Sequence, residues 1–284
     1  MLKIIYYGDW HGQVAQRLFD HLKSKNIDVE LSCESNFKSG DKTFETRKVI
    51  YIEDDSAGGY YVLDFKDMLG YKNNFVVREV VHDDRCFKIL KSQYRKDHYI
   101  DPPYNKIIPF TYFEKNPELV QSLRLKDGPS KSIKKMFFRG QPWKNRNKVL
   151  DRIDDIIIPN RLTSIEDYYN DMRSHWIGLA LPGWGNICHR ELEYFAFDIA
   201  VIMPKLKNTF HNDLIPDYHY ISVDVNTTKD KSKVIASGIR DAYESVVDDR
   251  DKLNEVISNA RRWYEENVMF PNSIKLITTL LGII

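Results

Sequence analysis

The chain is short of charge imbalance, of cysteine and of long apolar runs, and each shortage removes a class of function. Its 42 basic residues face 41 acidic ones, a formal charge of +1. No global field then draws nucleic acid or an anionic membrane, the basic residues are interleaved with acidic ones, and any anion site must be local. Three cysteines, Cys33, Cys86 and Cys188, have neither CxxC nor metal-ligand spacing. That argues against a disulfide framework and a metal centre, and a reducing compartment fits best. The most apolar stretch, KLITTLLGII from Lys275 to Ile284, is about half the length that a bilayer span needs, so it is expected to dock on the protein's own surface. The opening MLKIIYYGDWHG enters strand-like sequence without the succession of a secretory leader. A cytoplasmic location is expected, which for a viral chain means the host cytoplasm.

What is present is aromatic. Residues Phe, Trp and Tyr make up 13% of the chain, with 17 Tyr, which argues against disorder and for aromatic-lined surfaces of the kind that suit sugars. With 284 residues the chain has room for two domains of roughly 100–150 residues. The run LKIIYY ends at Gly8, and Val14, Leu18 and Leu22 follow at four-residue steps, which reads as strand, loop and helix. VELSC, KVIYIED and GYYVLDF read as strands, DFKDMLGYK as a short helix and NNFVVREVV as another strand. Residues 95–130 carry Pro102, Pro103, Pro109, Pro117, Gly128 and Pro129 and read as an irregular connection. The domain boundary is therefore placed at 127/128, with residues 1–127 as a first lobe, 128–284 as a second, and the last helix free to return to the first.

The second lobe repeats the logic. KKMFFRG reads as a strand broken at Gly140, PWKNRNKVLDRI and IEDYYNDMRSH as helices, WIGLALPG as a buried strand, CHRELEYFAFD as a helix, and IAVIMP and HYISVDV as strands. Helical spacings from Lys229 to Arg262 predict two terminal helices. In parallel α/β sheets, ligands gather where strands end and helices begin. Arg139 and Arg146 follow one predicted strand, and His189, Arg190 and Glu193 follow another. Together they offer cations and amides for a diphosphate and a carboxylate for ribose hydroxyls. The structural alternatives are a solvated helix start for the arginines, a capping or core role for His189, and a helix-surface pair for Glu193.

These segments resemble a known group. Arg190-Glu-Leu-Glu193 followed by YFAFDIAVIMP is similar to the donor-binding signature of GT-B glycosyltransferases, and Phe138-Arg139-Gly140 with Arg146 resembles a second segment of exostosin-like enzymes and protein O-glucosyltransferases. The likeness covers roughly residues 130–272 and extends to SVDVNTTKD and NARRWYEENVMFP. It implies an α/β, GT-B-like fold of two Rossmann-like lobes facing a cleft. It also implies transfer of a sugar from a UDP-sugar to a glycan hydroxyl with no obligatory metal and no further cofactor, the diphosphate lying near Arg139, Arg146, His189 and Arg190 and the ribose on Glu193. Where the family pattern ends the helix in Gly and starts the strand with Pro, this chain has Asp198 and Ala200. KILKSQY and KIIPFTYF resemble acceptor-lobe segments of exostosin-like proteins. The chain also resembles glycosyltransferases of large algal viruses, including a xylosyltransferase, which makes UDP-xylose the first donor to test.

On the acceptor side, the loop YYGDWHG offers Asp9 as the general base of an inverting transfer, His11 beside it, glycines Gly8 and Gly12 that admit a close backbone, and Trp10 to stack on a sugar. A helix cap or loop residue is the plainer role for Asp9. Asp54 and Asp55 follow another predicted strand and compete for the same part. A non-catalytic nucleotide- or carbohydrate-binding protein on the same fold is the alternative function, since fold does not guarantee activity.

Overall fold

A computed structural model describes residues 1–66, 79–95, 104–114, 116–140, 146–161, 163–182, 187–225 and 231–284. The chain divides into two compact units, one formed by 1–115, 207–213 and 269–284, the other by 116–206 and 214–268.

The first unit is built on a six-stranded sheet. Strand β1 (Leu2–Tyr6) leads into helix α1 (Asp9–Ser24), whose Val14, Leu18 and Leu22 are buried as their spacing predicts. Strand β2 (Val29–Cys33) then pairs parallel to β1. A hairpin of β3 (Asn36–Ser39) and β4 (Lys42–Glu45), turning at Gly40 with φ +59°, reverses the chain. Its Phe37 sits on Tyr51 and Tyr60 with ring centroids 4.4 and 4.8 Å away. Because of that reversal β5 (Val49–Asp54) runs antiparallel to β1, and β6 (Gly59–Asp64) antiparallel to β5. Strands β7 (Cys86–Lys91) and β8 (Ile107–Pro109) follow in parallel, giving the order β2-β1-β5-β6-β7-β8. The helix expected over DFKDMLGYK and the strand expected over NNFVVREVV lie largely outside the described residues, as do Pro102 and Pro103.

In the second unit, α2 (Pro117–Leu125) occupies part of what reads as irregular connection, and it packs on its own unit through Val120 and Leu123. The sequence signal misleads because Pro117 is at the helix start, where its missing N–H has no partner to lose. The expected strand KKMFFRG forms bridges at Met136–Ile157 and Phe137–Gly178 in place of a full strand. Helices α3 (Arg146–Leu150) and α4 (Ile165–Arg173) precede β9 (Ile177–Leu179), and the Ser164 hydroxyl caps α4 by accepting from the Asp167 N–H at 3.1 Å. Helix α5 (His189–Ala196), β10 (Ala200–Pro204), β11 (Ile221–Val223), α6 (Lys231–Glu244) and α7 (Arg250–Asn267) complete the unit around a parallel sheet ordered β11-β10-β9. Its core joins Leu179, Ile202 and Val223 of the sheet to Ile239 of α6 and Val256 of α7. The last helix, α8 (Asn272–Leu281), belongs to the first unit, where it packs on α1 and β7 and Lys88 Nζ donates to the Leu280 carbonyl at 3.0 Å. No helix among the described residues is long and apolar enough to cross a membrane.

At the ends of β6 and β7 the paired residues Asp64 and Lys91 form an ion pair at 3.1 Å with both side chains fully buried, and Lys91 Nζ also donates to the Lys66 carbonyl at 2.8 Å. Removing one member of such a pair strands the other charge, at a cost of about 3–5 kcal/mol, whereas an apolar pair of similar volume often restores stability. Lys91→Met is therefore expected to lose about 3–5 kcal/mol in urea unfolding, and Asp64→Leu combined with Lys91→Met to recover part of that loss. A single-variant loss below about 1 kcal/mol would contradict a structural role for the pair.

Candidate functional site

The second unit brings most of the predicted donor residues to one edge. The segment through Phe137 runs parallel to β9, so Arg139 and Gly140 leave the sheet at the same edge as Leu181 and Pro182. Helix α5 starts there. Arg146, at the start of α3, donates from Nη2 to the Leu181 carbonyl at 2.7 Å and from Nε to that of Pro182 at 3.1 Å. Arg190 donates from Nε to the Arg139 carbonyl at 2.9 Å and lays its guanidinium 4.6 Å from the centre of the Phe138 ring. Gly140 is required by that approach, because a Cβ there would meet the Arg190 guanidinium. Asn160 holds the same glycine from the other side, accepting from its N–H at 3.2 Å and donating to its carbonyl at 2.8 Å. His189 is half-buried at the first position of α5. The GWGN loop at 183–186 and the QPWKN segment at 141–145 lie outside the described residues.

Arg139 is 8% exposed. It donates from Nη1 to the Pro159 carbonyl and from Nη2 to Asp171 Oδ2 at 3.3 Å, and its Nε finds no acceptor among the described residues. The Arg190 Nη1, also shut off from solvent, has none there either. Asp171 receives Arg161 as well, at 3.0 Å, and the two arginines hold its carboxyl below the usual range although burial alone would raise it. Burial and the charge of Arg190 lower the Arg146 guanidinium.

Glu193 is buried, as its place between apolar strands implies, and two hydroxyls of α4 already bind it. The residue is 9% exposed, and its carboxylate accepts from the Tyr168 hydroxyl at 2.7 Å and from the Tyr169 hydroxyl at 3.1 Å. It is no helix-surface residue. Sequence reasoning missed both tyrosines, which stand adjacent in α4. It also missed Glu191, which is 1% exposed and accepts from the Cys188 N–H at 2.8 Å, so that Cys188 and Glu191 form a capping box at the start of α5. The N-cap-x-x-Glu spacing carried that signal with a cysteine in the place usually taken by Ser or Thr.

In the first unit the acceptor candidates separate. Asp9 is the first residue of α1, exposed, with Gly8 at φ 93° as the cap. His11 is half-buried with its ring 5.9 Å from that of Phe65. Gly12 serves the fold, since a Cβ there would press on the Tyr6 ring at 2.8 Å. Asp54 and Asp55 belong elsewhere: β5 is antiparallel, and Asp54 pairs with Leu2 at the opposite end of β1 from Asp9. Four rises of about 3.3 Å, roughly 13 Å of strand, separate the two ends. The expectation that Asp55 competes with Asp9 fails because the β3–β4 hairpin reverses the chain. Asp54 instead accepts from the N–H and hydroxyl of Ser56 and caps the turn. Among the described residues no cluster of three or more His, Cys, Asp or Glu is placed to hold a metal ion.

Burial pushes the Glu191 carboxyl above its ordinary range, against the pull of Arg190. A carboxyl whose folded pKa is raised favours the fold below its unfolded value and loses that contribution as pH rises through the folded value. Glu191→Gln keeps an acceptor for the Cys188 N–H and removes this titration. Its stability relative to the parent is expected to improve as pH rises from about 4.3, the ordinary value for Glu, toward neutrality. Thermal unfolding at several pH values checks this, and a difference independent of pH would contradict it.

No family model matches the chain, and no curated protein matches it. Among solved structures it is similar to HepE from Anabaena in complex with UDP-glucose, at 11% identity and a TM-score of 0.50, the match covering 100% of both chains. It is also similar to HepE in complex with UDP, at 12% identity and a TM-score of 0.48 over 99% of this chain and 79% of that one. A glycosyltransferase from Rickettsia africae matches at 10% identity and a TM-score of 0.42 over 98% and 76%. At such identities the likeness to the first of these establishes a shared fold, and the chain is a mixed α/β protein of GT-B-like fold.

Proposed function

We propose that the chain is a metal-independent glycosyltransferase that moves a sugar from a UDP-sugar to a glycan hydroxyl with inversion. The observation that carries this reading is the pair of buried guanidinium N–H groups, Arg190 Nη1 at the start of α5 and Arg139 Nε on the segment that anchors it, that lack acceptors among the described residues. A buried donor left unsatisfied costs about 1–3 kcal/mol, more when charged, and the start of a helix adds a positive partial charge. An anionic oxygen answers both. The fold shared with HepE, which was solved with UDP-glucose, supports a nucleoside diphosphate sugar as the source of that oxygen. Arg146 and His189 stand at the same edge, and the carboxylate of Glu193 is of the kind that binds ribose hydroxyls.

In this reading negative charge grows on the leaving diphosphate as the glycosidic bond breaks, and fixed guanidinium groups stabilise it without reorganising. Asp9 takes the proton of the acceptor hydroxyl, with His11 as its neighbour on α1. UDP-xylose is the first donor to test, and the product's anomeric configuration, read by NMR, tests inversion.

Calorimetry with UDP is the deciding experiment. Arg139→Ala and Arg190→Ala are each expected to weaken UDP by about 1–3 kcal/mol, or roughly 5- to 150-fold. Glu193→Ala is expected to fall in the same range. Gly140→Ala should weaken UDP through displacement of Arg190 alone, with little change in thermal stability because the far end of a long side chain can move. Absence of UDP binding by the parent chain would overturn the reading. Asp9→Asn is expected to reduce transfer by about two orders of magnitude or more with UDP affinity unchanged. UDP binding without turnover of any UDP-sugar would instead mark a nucleotide-binding protein.

A further inference from the structure

The two phenols on Glu193 come from adjacent residues of α4, and they do more than cover its charge. Tyr168 donates to Oε2 at 2.7 Å and Tyr169 to Oε1 at 3.1 Å. One donor on each oxygen fixes both where the carboxylate lies and how its plane is turned about the last bond of the side chain. A phenol has a single proton to give. That of Tyr169 is directed by Asn116, the N-cap residue of α2, whose Nδ2 donates to the Tyr169 oxygen at 3.2 Å and so leaves the phenol proton for Glu193.

The rings are as firmly held as the hydroxyls. Tyr169 is fully buried with its ring 5.3 Å from that of Phe197, and the Tyr168 ring lies 5.2 Å from that of Tyr169 and 5.7 Å from that of Phe137. The guanidinium of Arg139 lies 5.3 Å from the centre of the same Phe137 ring, so Tyr168 packs on the segment that carries the diphosphate candidates. Glu193 follows Arg190 by three positions in α5, which places the two side chains on one face of that helix. A mobile glutamate loses rotamer freedom when it orders on a ligand, and that loss subtracts from the affinity it confers. Here the ordering is complete before a ligand arrives.

We propose that Tyr168 and Tyr169 are positioning residues, which hold the Glu193 carboxylate ready for the sugar hydroxyls of a nucleoside diphosphate and so sharpen the choice of ribose over a deoxygenated sugar. This role rests on the donor reading above. It differs from a purely structural one, in which loss of a phenol lowers stability and leaves ligand choice unchanged. It differs also from competition, in which a phenol occupies the place that a ribose hydroxyl would take and its loss tightens binding.

The test is calorimetry of the full chain and its variants with UDP and with the dideoxyribose analogue of UDP, which lacks both sugar hydroxyls. The parent is expected to favour UDP by about tenfold or more, within the range for hydrogen bonds to a charged group. Tyr168→Phe and Tyr169→Phe should each cut that preference by about threefold or more through weaker UDP binding, with the analogue bound within about twofold of the parent. Tyr194→Phe is the control. Its hydroxyl follows Glu193 in sequence but is committed to the carbonyls of Phe137 and Leu179 at 3.0 and 3.2 Å, so its loss should lower the melting temperature and leave the preference as in the parent. An undiminished preference in both α4 variants, equal weakening of both ligands, or tighter UDP binding in either variant would overturn the positioning role while leaving the donor reading in place. A parent that binds both ligands equally would overturn the placing of the ribose on Glu193 and this role with it. A parent that binds neither would overturn the donor reading itself, and the role falls with that reading.

Discussion

The seating of Arg190 is the contact on which the rest of the second unit's edge depends. Its Nε binds the Arg139 carbonyl, its guanidinium covers the Phe138 ring, and Gly140 makes room for it. Three consecutive residues of one segment therefore fix a single side chain of α5, and through it the start of the helix. A guanidinium tolerates such a seat because it is weakly hydrated, planar and able to stack while still donating from its rim. Lysine has no equivalent geometry. With Arg190 placed, the Arg139 carbonyl is committed, the Arg139 side chain lies back on Pro159 and Asp171, and each guanidinium keeps one buried N–H with no acceptor among the described residues.

The same helix solves the burial of its two carboxylates in two ways. Glu191 faces the helix start and binds the Cys188 N–H, one of the donors that a helix leaves open. Glu193, two positions later, points to α4 and takes two phenol hydroxyls. Burial and then the charge of Glu193 raise the Tyr168 phenol well above its ordinary range, so Tyr168 stays a donor and the pair is stable across physiological pH. The departure at Asp198 has a similar local logic. It follows α5 at φ 60°, the left-handed conformation for which glycine is preferred and Asp tolerated, and its carboxylate pairs with Arg261 at 3.2 Å.

Periodicity made the long elements legible. Val14, Leu18 and Leu22 marked α1, the run IEDYYNDMRSH marked α4, and the spacings after Lys229 marked α6 and α7. The arginines and Glu193 were legible as buried charge beside apolar strands, and the structure places Arg139, Arg146, His189 and Arg190 at one edge. Partners and strand direction were not legible. Nothing in YIEDDSAGG reveals that β5 runs backwards, because an antiparallel strand buried on both faces has the same apolar run as a parallel one. The tyrosines on Glu193 were equally hidden, since a contact across 24 residues of sequence depends on how α4 packs, not on local pattern.

The reversal of β5 also explains why the two units differ at their carboxyl edges. In the first unit β1, β6, β7 and β8 end together while β5 ends opposite, so Asp54 is carried away and neighbouring strand ends must satisfy one another. Asp64 pairs with Lys91, the Ser92 N–H donates to the Asp64 carbonyl at 3.1 Å, and Gln93 bridges the Tyr112 hydroxyl and Asn208 at 2.9 and 2.5 Å. The ion pair is neutral as a whole, and the other groups of the network are hydroxyls and amides. In the second unit the neighbouring segments are all parallel, their ends converge on a helix start, and two buried guanidinium N–H groups, one of them on that helix, find no acceptor among the described residues. One edge has its described polar groups bound to one another, and the other keeps two buried guanidinium N–H groups without acceptors among the described residues, a difference that goes with the difference in strand direction.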